Sequence, residues 1–551
     1  MKAAKTPPKK FTPPTPATAT AIPVATTAAP GKNRAERRAD TAVKLPPAIQ
    51  EFVNIFNVGL EAQRAGNLPL AEAQYLKAMA LNPNDAMLLN NLGVCLYEQG
   101  KTEEAIEIHK KAIKLDPTRP MAYNNLGVEL NALERHEEAL AAFKKAVEIQ
   151  PINPKAINNY GDSLTKLGRF DEGLAMLDKS IMQEPEYVDA HSNRGMALWG
   201  LARFEEAIES FQRALSFKID HASVRKNLGL VSLLMQRFGT AWEDYEWRWL
   251  ADKLVQRSKK MRWCGEDVKG KTMLVWSEQG LGDEILHMSM AEDLLKRGCK
   301  VVWECDYRLV PLLERTHPEM KVVPRKGIAP PLPETMTPDI TVQSPSASLG
   351  RFLRNDISHF PKGRKKYLAV NWPRVAKLRA SLNLKPGEKL VGVSWVSKNK
   401  SIGSNKTIDL DKWVDILSVP GVRFVDLQYG DTAEERERLQ RERGLTLHHL
   451  EDLDLTKDID GLAALIAACD LTITVSNTTA HVAGAVGAPV WVLLPAKLGK
   501  FWYWGHEGER TVWYDSPRII RQSHTETNDW GPTLRETTTR LRKALGLPPA
   551  N

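Results

Sequence analysis

The stretch YNNLGVELNALERHEEALAAFKKAVEIQP (residues 123–151) decides the fold of the first half of this 551-residue chain. It carries Gly127, Ala139 and Phe143, and residues of the same character recur every 34 positions in six units from about residue 47; Pro151 and its counterparts close four of these units. Small side chains let two antiparallel helices approach closely, the large side chain fills the space beside them, and Pro stops the second helix. The stretch therefore predicts a row of helix pairs.

The repeat positions stay in register along the whole segment. The Gly column is Gly59, Gly93, Gly127, Gly161, Gly195 and Gly229; the small column is Ala71, Ala105, Ala139, Gly173, Ala207 and Ala241; the large column is Tyr75, His109, Phe143, Leu177, Phe211 and Tyr245. This period and pattern are those of tetratricopeptide repeats. They predict an all-α superhelix with a concave inner face over residues 47–250.

A column of asparagines shares the same period, two residues before each Gly: Asn57, Asn91, Asn125, Asn159, Asn193 and Asn227. Asn is not favoured inside helices. Its amide both donates and accepts, so a ladder of amides can hold a peptide backbone without reading its side chains. The alternative is that each Asn bonds a neighbouring helix within the repeats. The column resembles the asparagine ladder of protein O-GlcNAc transferases, which implies that it binds an acceptor polypeptide.

The net charge of +9 is concentrated at the start of the chain, because residues 1–45 hold nine Lys or Arg against two acidic residues. The segment 1–46 is rich in Pro, Thr and Ala, which predicts a disordered basic tail, either a solvated spacer or a tether. The remainder is nearly neutral, so a nucleic-acid partner is not expected. Five scattered cysteines and the lack of a long apolar run or signal peptide favour a cytoplasmic protein without a transmembrane segment.

The pattern changes after a linker predicted over 251–270. Short apolar runs such as TMLVWS (272–277) and LTITVS (471–476) alternate with helix-like stretches, which indicates parallel α/β layers. We expect one lobe over 271–375 and a second over 376–551.

Two turns in these lobes carry candidate chemistry. QGLGDE (279–284) lacks the third Gly of a dinucleotide fingerprint, and no phosphate-binding P-loop occurs. It places Asp283 after a strand, at the mouth of the first lobe, where α/β sheets bind ligands. SNTTAH (476–481) ends a strand and starts a helix, which is suited either to anion binding or to an ordinary N-cap; its candidate ligand residues are Ser476, Asn477, Thr478, Thr479 and His481.

Gly280-Leu281-Gly282-Asp283 together with SNTTAHVAGAVGAPV (476–490) resembles the paired signatures of family 9 (heptosyltransferase-like) glycosyltransferases. With the repeats in front, the chain resembles bacterial fusions that include flagellin O-glycosyltransferases. The resemblance implies a GT-B fold of two Rossmann-like lobes, the first facing the acceptor and the second a nucleotide-sugar. It also implies that Asp283 is the catalytic base and Gly282 lies at the donor site. The chain departs from the family at Ser476, where members usually carry Asp.

The chemistry implied is inverting transfer of a sugar to a Ser or Thr hydroxyl, which needs a base and positive groups for the leaving phosphate. Lys398 and Lys406, in a loop after a strand, are candidates for the phosphate, and no metal is expected. His287 is a weaker candidate base than Asp283, and N-capping is the structural alternative for Asp283. FWYW (501–504) either stacks on the donor base or packs internally, and packing is slightly favoured.

The sequence and the resemblance together predict a protein O-glycosyltransferase that uses a nucleotide-sugar and a polypeptide acceptor, and the resemblance suggests flagellin as that acceptor. Two alternatives stay open. One is a repeat scaffold with a catalytically silent transferase-like domain. The other is a transferase acting on a lipid or saccharide.

Overall fold

The computed structural model describes residues 46–327, 331–363, 366–398, 406–496, 501–523 and 529–548, together with Gly403. The tail predicted over 1–46 lies outside the described residues except for Pro46. The chain forms two compact units, Met1–Ser163 and Leu164–Asn551.

The segment from residue 47 to residue 251 is entirely helical, apart from its turns, as the repeat pattern predicts. The helices are α1 (Pro47–Arg64), α2 (Leu68–Leu81), α3 (Ala86–Glu98), α4 (Thr102–Leu115), α5 (Pro120–Ala132), α6 (His136–Ile149), α7 (Pro154–Lys166), α8 (Phe170–Gln183), α9 (Val188–Gly200), α10 (Phe204–Phe217), α11 (Ala222–Leu234), α12 (Phe238–Tyr245) and α13 (Arg248–Ala251).

Within each of the two units, contacts between the Gly and large columns join the two helices of a pair. A Cβ placed on Gly59 would lie 2.7 Å from the Tyr75 ring, and one placed on Gly127 would lie 2.6 Å from the Phe143 ring. Because these distances are shorter than any normal contact, the first helix needs Gly where the large side chain of the second helix packs. The same relation joins Gly195 to Phe211 in the second unit.

The first α/β lobe contains a five-stranded parallel sheet of order β1-β5-β2-β3-β4. Its elements are β1 (Met261–Arg262), β2 (Thr272–Trp276), α14 (Leu281–Met288), α15 (Ala291–Lys296), β3 (Lys300–Asp306), α16 (Val310–Thr316), β4 (Lys321–Arg325), β5 (Ile340–Pro345) and α17 (Gly350–Leu353). The segment predicted as a linker over 251–270 contributes the edge strand β1, which pairs with β5 in parallel.

The second lobe contains a five-stranded parallel sheet of order β10-β9-β8-β6-β7. Its elements are α18 (Trp372–Ser381), β6 (Lys389–Ser394), α19 (Val414–Leu417), β7 (Val422–Asp426), α20 (Ala433–Arg443), α21 (Ile459–Ala468), β8 (Leu471–Val475), α22 (Thr478–Val486), β9 (Val490–Leu494), β10 (Pro517–Arg521) and α23 (Gly531–Ala544).

In both sheets, the order in which the strands are added reverses next to a candidate turn. In the first, the chain runs from β2 to β3 and β4 on one side, and then returns to β5 on the other. In the second, β6 is followed by β7 on one side and by β8 on the other. Ligands of open α/β sheets bind beyond the carboxyl ends of strands at such switch points. Asp283 follows β2, Lys406 follows β6 and Ser476 follows β8, so the fold places each of them at a switch point.

Candidate functional site

Asp283 lies in the first turn of α14, three residues after the N-cap Gly280. Burial raises the pKa of Asp283 to about 6, against the opposing influence of a hydrogen bond from the Gly280 backbone and of the Lys406 charge. An acidic side chain at this helix position that turns back to the N-cap N–H is the acidic half of a capping box. The residue at the N-cap of α14 is Gly280 and not Asp283, so the N-capping alternative does not hold in its simple form.

Helix α14 of the first lobe packs against α22 of the second at Gly282. A Cβ on Gly282 would lie 2.8 Å from Cδ2 of His481, so only Gly allows the two helices this approach. Asp283, the next residue, is thereby held beside the boundary of the two lobes. The sequence predicts both Gly282 and His481 at the donor site; the structure brings them into direct contact.

His481 is enclosed by aromatic rings. Its Nδ1 lies 2.7 Å from the Tyr514 hydroxyl, and its ring centroid is 4.7 Å from that of Tyr503 and 5.3 Å from that of Trp504. Burial, followed by the Lys406 charge, lowers the pKa of His481 to about 3. The imidazole is therefore neutral at physiological pH, and it cannot offer a full positive charge to a phosphate.

Lys406 is the predicted lysine whose charge acts on Asp283. Only 2% of its surface is exposed, and its Nζ lies 4.3 Å above the Phe501 ring. Burial lowers the pKa of Lys406 to about 8, and the Asp283 charge opposes that shift. A buried amino group and a half-buried carboxyl group therefore influence each other through their charges. Lys398 lies elsewhere, exposed, with its Nζ 5.8 Å from the Tyr429 ring centroid.

The side chains of the SNTTAH turn bond mainly within the protein. Ser476 Oγ accepts from the Trp504 indole N–H at 2.8 Å. The Asn477 amide donates to Ser394 Oγ at 2.8 Å and to the Val396 carbonyl at 3.1 Å, while its oxygen caps α22. Thr479 is fully buried and donates to the Leu427 carbonyl at 3.4 Å. The N-cap interpretation therefore holds for Asn477.

Thr478 is the partly exposed residue of this turn, at the first position of α22. The first N–H groups of a helix lack intrahelical partners. Donor binding at this turn stays a prediction, and it depends more on these backbone groups and on Thr478 than on the side chains of Ser476 and Asn477.

His287, the weaker candidate base, is completely buried one turn beyond Asp283. Its Nδ1 lies 3.0 Å from Ser346 Oγ, and burial, followed by the charges of Arg248 and His481, lowers its pKa to about 3. A group with so low a pKa accepts a proton poorly near neutral pH. Asp283 is the better placed of the two bases.

The FWYW segment forms a wall of the site, as the packing interpretation predicts. Trp502, Tyr503 and Trp504 are buried, and Tyr503 stacks on Phe501 with centroids 5.1 Å apart. Sequence reasoning missed Tyr514, which contacts His481 from a position 33 residues further along the chain. A cavity of about 360 Å³ is lined by Tyr514, Trp513, Phe360 and Arg354 among others, and not by Asp283.

The asparagine column lies on the first helix of each repeat, on α1, α3, α5, α7, α9 and α11. Every member is at least partly exposed. Asn125 donates to Asn90 Oδ1 at 3.1 Å, and Asn159 donates to Asn124 Oδ1 at 2.9 Å. These bonds use one donor of each amide and hold its orientation. Peptide binding by the column stays a prediction.

Comparisons with known proteins identify the repeats. Tetratricopeptide-repeat family models match residues 58–120, 120–153 and 160–222. The crystal structure of MamA is 26% identical, covers 30% of this chain and 97% of its own, and has a TM-score of 0.28. YrrB, described as a TPR protein with an unusual peptide-binding site, is 23% identical over 32% of this chain and 92% of its own, with a TM-score of 0.27.

Protein FlbA of Caulobacter vibrioides is 34% identical over 325 residues, which are 55% of this chain and 52% of FlbA. The chain thus spans about half the length of this curated relative. The repeat matches show that this is a protein with tetratricopeptide repeats. In the part of the chain that the structure describes, every helix is too short or too polar to cross a membrane.

Proposed function

We propose that this protein is an inverting glycosyltransferase that moves a sugar from a nucleotide-sugar to a Ser or Thr hydroxyl of a polypeptide held by the repeats. The observation that carries the proposal is that Asp283 and Lys406, which follow the switch-point strands of the two parallel sheets, influence each other through their charges. Lys406 is buried and Asp283 is half-buried, and their pKa values are displaced towards neutrality from opposite sides. A carboxyl group whose pKa lies near the working pH is suited to act as a general base.

In the proposed step, the acceptor oxygen attacks the anomeric carbon while the bond from that carbon to the phosphate oxygen breaks. The hydroxyl proton passes to the Asp283 carboxylate, and the electron pair leaves with the phosphate. The Lys406 ammonium and the first N–H groups of α22 stabilise the charge that develops on the phosphate. No metal is assigned to this step, because these groups supply the positive charge.

The acceptor belongs on the repeats in this proposal. The asparagines of the column are at least partly exposed, hydrogen bonds orient Asn125 and Asn159, and amide groups of this kind suit a peptide backbone. Flagellin is the acceptor that we propose to test first, on the strength of the family resemblance. The cytoplasm, where nucleotide-sugars are made, is the proposed location.

The test is a thermal-shift panel of UDP-, GDP-, ADP- and CMP-sugars, followed by intact-mass analysis of flagellin incubated with the stabilising donor. We expect one nucleotide class to stabilise the protein and to add a whole sugar mass to the acceptor. Asp283→Asn is the matched control, since it should bind the donor and add no sugar. A sugar added to lipid or saccharide instead of protein would support a different transferase.

The occupied side chains of Ser476 and Asn477 favour one competing function, a repeat scaffold whose transferase-like lobes only dock a partner. That function predicts no stabilisation by any donor. It also predicts that Lys406→Ala leaves partner binding unchanged.

A further inference from the structure

The end of the last repeat is joined to the loop that leads to Asp283 by a buried ion pair. Arg248 donates from Nε at 3.1 Å and from Nη2 at 2.5 Å to Oε1 of Glu278. The side chains are 1% and 3% exposed. Arg248 belongs to α13, whereas Glu278 lies between β2 and α14, five residues before Asp283.

The pair belongs to a charge-balanced cluster. Arg248 also donates to Glu246 Oε1 at 2.7 Å and to Ser348 Oγ at 2.8 Å. Arg262 completes the cluster through Ser348 Oγ at 2.9 Å and an ion pair with Glu246. Two arginines and two glutamates are therefore held together where the repeats meet the first sheet.

A second contact reaches the next residue of the loop. Tyr245 occupies the large position of the sixth repeat, where the earlier repeats carry Tyr75, His109, Phe143, Leu177 and Phe211. Its hydroxyl accepts a hydrogen bond from the Gln279 side chain. The Arg248 guanidinium lies 4.7 Å over the Tyr245 ring, so the two contacts support each other.

These contacts fix Glu278 and Gln279 from outside the sheet, immediately before the turn that carries Asp283. Burying two charges costs desolvation that an apolar contact of the same volume would avoid. An ion pair in which two N–H groups reach one carboxylate oxygen sets distance and angle, which an apolar contact does not.

Resting on the proposed function, we infer that Arg248 and Tyr245 are positioning residues for the transfer step. Through them, the last repeat holds the loop that leads to Asp283 in the active site. The repeats then hold the base as well as the acceptor. A displacement of about 1 Å in a catalytic group costs on the order of a hundredfold in rate. Loosening this contact should therefore lower kcat while the donor, bound in the second lobe, keeps its affinity.

The experiment compares Arg248→Lys and Tyr245→Phe with Arg262→Lys in the full chain. Arg262→Lys is the matched control, because Arg262 belongs to the same cluster and contacts Glu246 and Ser348. Transfer is measured with the donor identified by the nucleotide-sugar panel, and hydrogen exchange is followed over residues 277–284. All variants are first compared with the wild type by thermal unfolding.

We expect Arg248→Lys to lower kcat about a hundredfold with the donor KM within twofold, and to speed exchange in residues 277–284 at least tenfold. Tyr245→Phe should lower kcat about fivefold, and Arg262→Lys less than twofold. An active wild type in which Arg248→Lys and Arg262→Lys have equal kcat, or in which exchange at 277–284 is unchanged, overturns this inference alone. A wild type inert with every donor overturns the proposed function and this inference with it.

Discussion

At Gly282 and Asp283, the packing of one residue fixes the position of the charge on the next. His481 fills the space that a side chain on Gly282 would need, and this contact keeps Asp283 beside the second lobe. Neutral His481 adds no charge to the site, so Lys406 remains the cation that acts on Asp283.

Gly282→Ala tests whether the close packing against His481, and not the backbone preference of Gly, determines the residue at position 282. The new methyl group would meet His481 Cδ2 at 2.8 Å, so we expect a loss of about 1–3 kcal/mol of stability and a larger loss of transfer. Gly280→Ala is the control, because its Cβ would meet only Asp283 Oδ2 at 3.5 Å with φ at −71°. Chemical unfolding of both variants measures the difference; equal losses would contradict the packing argument.

The pKa values of Asp283 and Lys406 predict a bell-shaped pH dependence of transfer. The base must be ionised, so the rate should fall below about pH 6. The cation must be protonated, so the rate should also fall above about pH 8. A profile of kcat/KM against pH measures both limbs. A profile flat from pH 5 to 9 would contradict these assignments.

Asp283→Asn should lose transfer and gain stability. A positioned base contributes about 10²–10⁴-fold in rate. The folded pKa of Asp283 is raised from 3.8 to about 6, so burying its charged form costs stability. That cost grows as the pH rises from about 4 to 6 and is complete above it, on the order of 1–3 kcal/mol. Urea unfolding at pH 4 and pH 8 should show a gain for Asp283→Asn at pH 8 only; an inactive variant of lower stability would indicate a structural role.

At the scale of elements, each helix pair of the first unit packs a large side chain of its second helix against a Gly of its first helix. In one pair that large side chain is a histidine. His109 occupies the large position of α4, where Phe143 stands in α6. Its Nδ1 lies 2.8 Å from Oε1 of Glu129, and both side chains are almost fully buried. Burial raises the pKa of Glu129, against the opposing influence of His109.

His109→Phe introduces the kind of aromatic residue that Tyr75 and Phe143 provide in the two neighbouring repeats, and it should nevertheless destabilise the protein. It leaves Glu129 buried without its partner, which costs about 3–5 kcal/mol. His109→Phe combined with Glu129→Leu removes both polar groups and should recover most of that loss. A double-mutant cycle by chemical unfolding measures the coupling. If the single variant were as stable as the wild type, the buried pair would carry no coupling energy.

The asparagine column should bind acceptor peptide rather than stabilise the fold. Each hydrogen bond from an Asn side-chain amide contributes about 0.5–1.5 kcal/mol, so Asn91→Ala should weaken peptide binding roughly 2–10-fold. The thermal midpoint should move little. Asn131→Ala on α5 is the control, since Asn131 lies outside the register and bonds His136 at 3.0 Å. Titration of a labelled flagellin peptide measures affinity. Loss of stability without loss of affinity would favour the alternative that the amides serve the repeats.

At the scale of the whole molecule, the sequence predicts the features that show a local pattern, which are the repeats and the turns that follow apolar strands. The repeats are visible because the Gly59–Tyr75 contact recurs at one spacing. Asp283 and Lys406 are visible because each follows an apolar strand. The two-residue strand β1 could not be predicted within the expected linker, because its pairing partners in β5 are 81 residues away. Arg248 and Tyr514 also lack a local signal, since their contacts with Glu278 and His481 join distant parts of the chain.

The division into two compact units predicts how ligands affect unfolding of the full chain. Calorimetry should show two transitions, one for Met1–Ser163 and one for Leu164–Asn551. The nucleotide of the donor should raise only the second, because Asp283, Lys406 and α22 all belong to that unit. At a hundred times its Kd, a ligand contributes about 2.7 kcal/mol to the unit that binds it.

Lys406→Ala should abolish the nucleotide-induced rise of the second transition, whereas Lys398→Ala should retain it. The two lysines lie in one loop, but Lys406 is buried and its charge acts on Asp283, whereas Lys398 lies over Tyr429. Loss of the buried cation removes the charge that holds the phosphate, while loss of the exposed one removes only a surface contact. Equal effects of the two substitutions would place the phosphate outside the Asp283–Lys406 pair. A rise in both transitions would show that the nucleotide also binds the first unit.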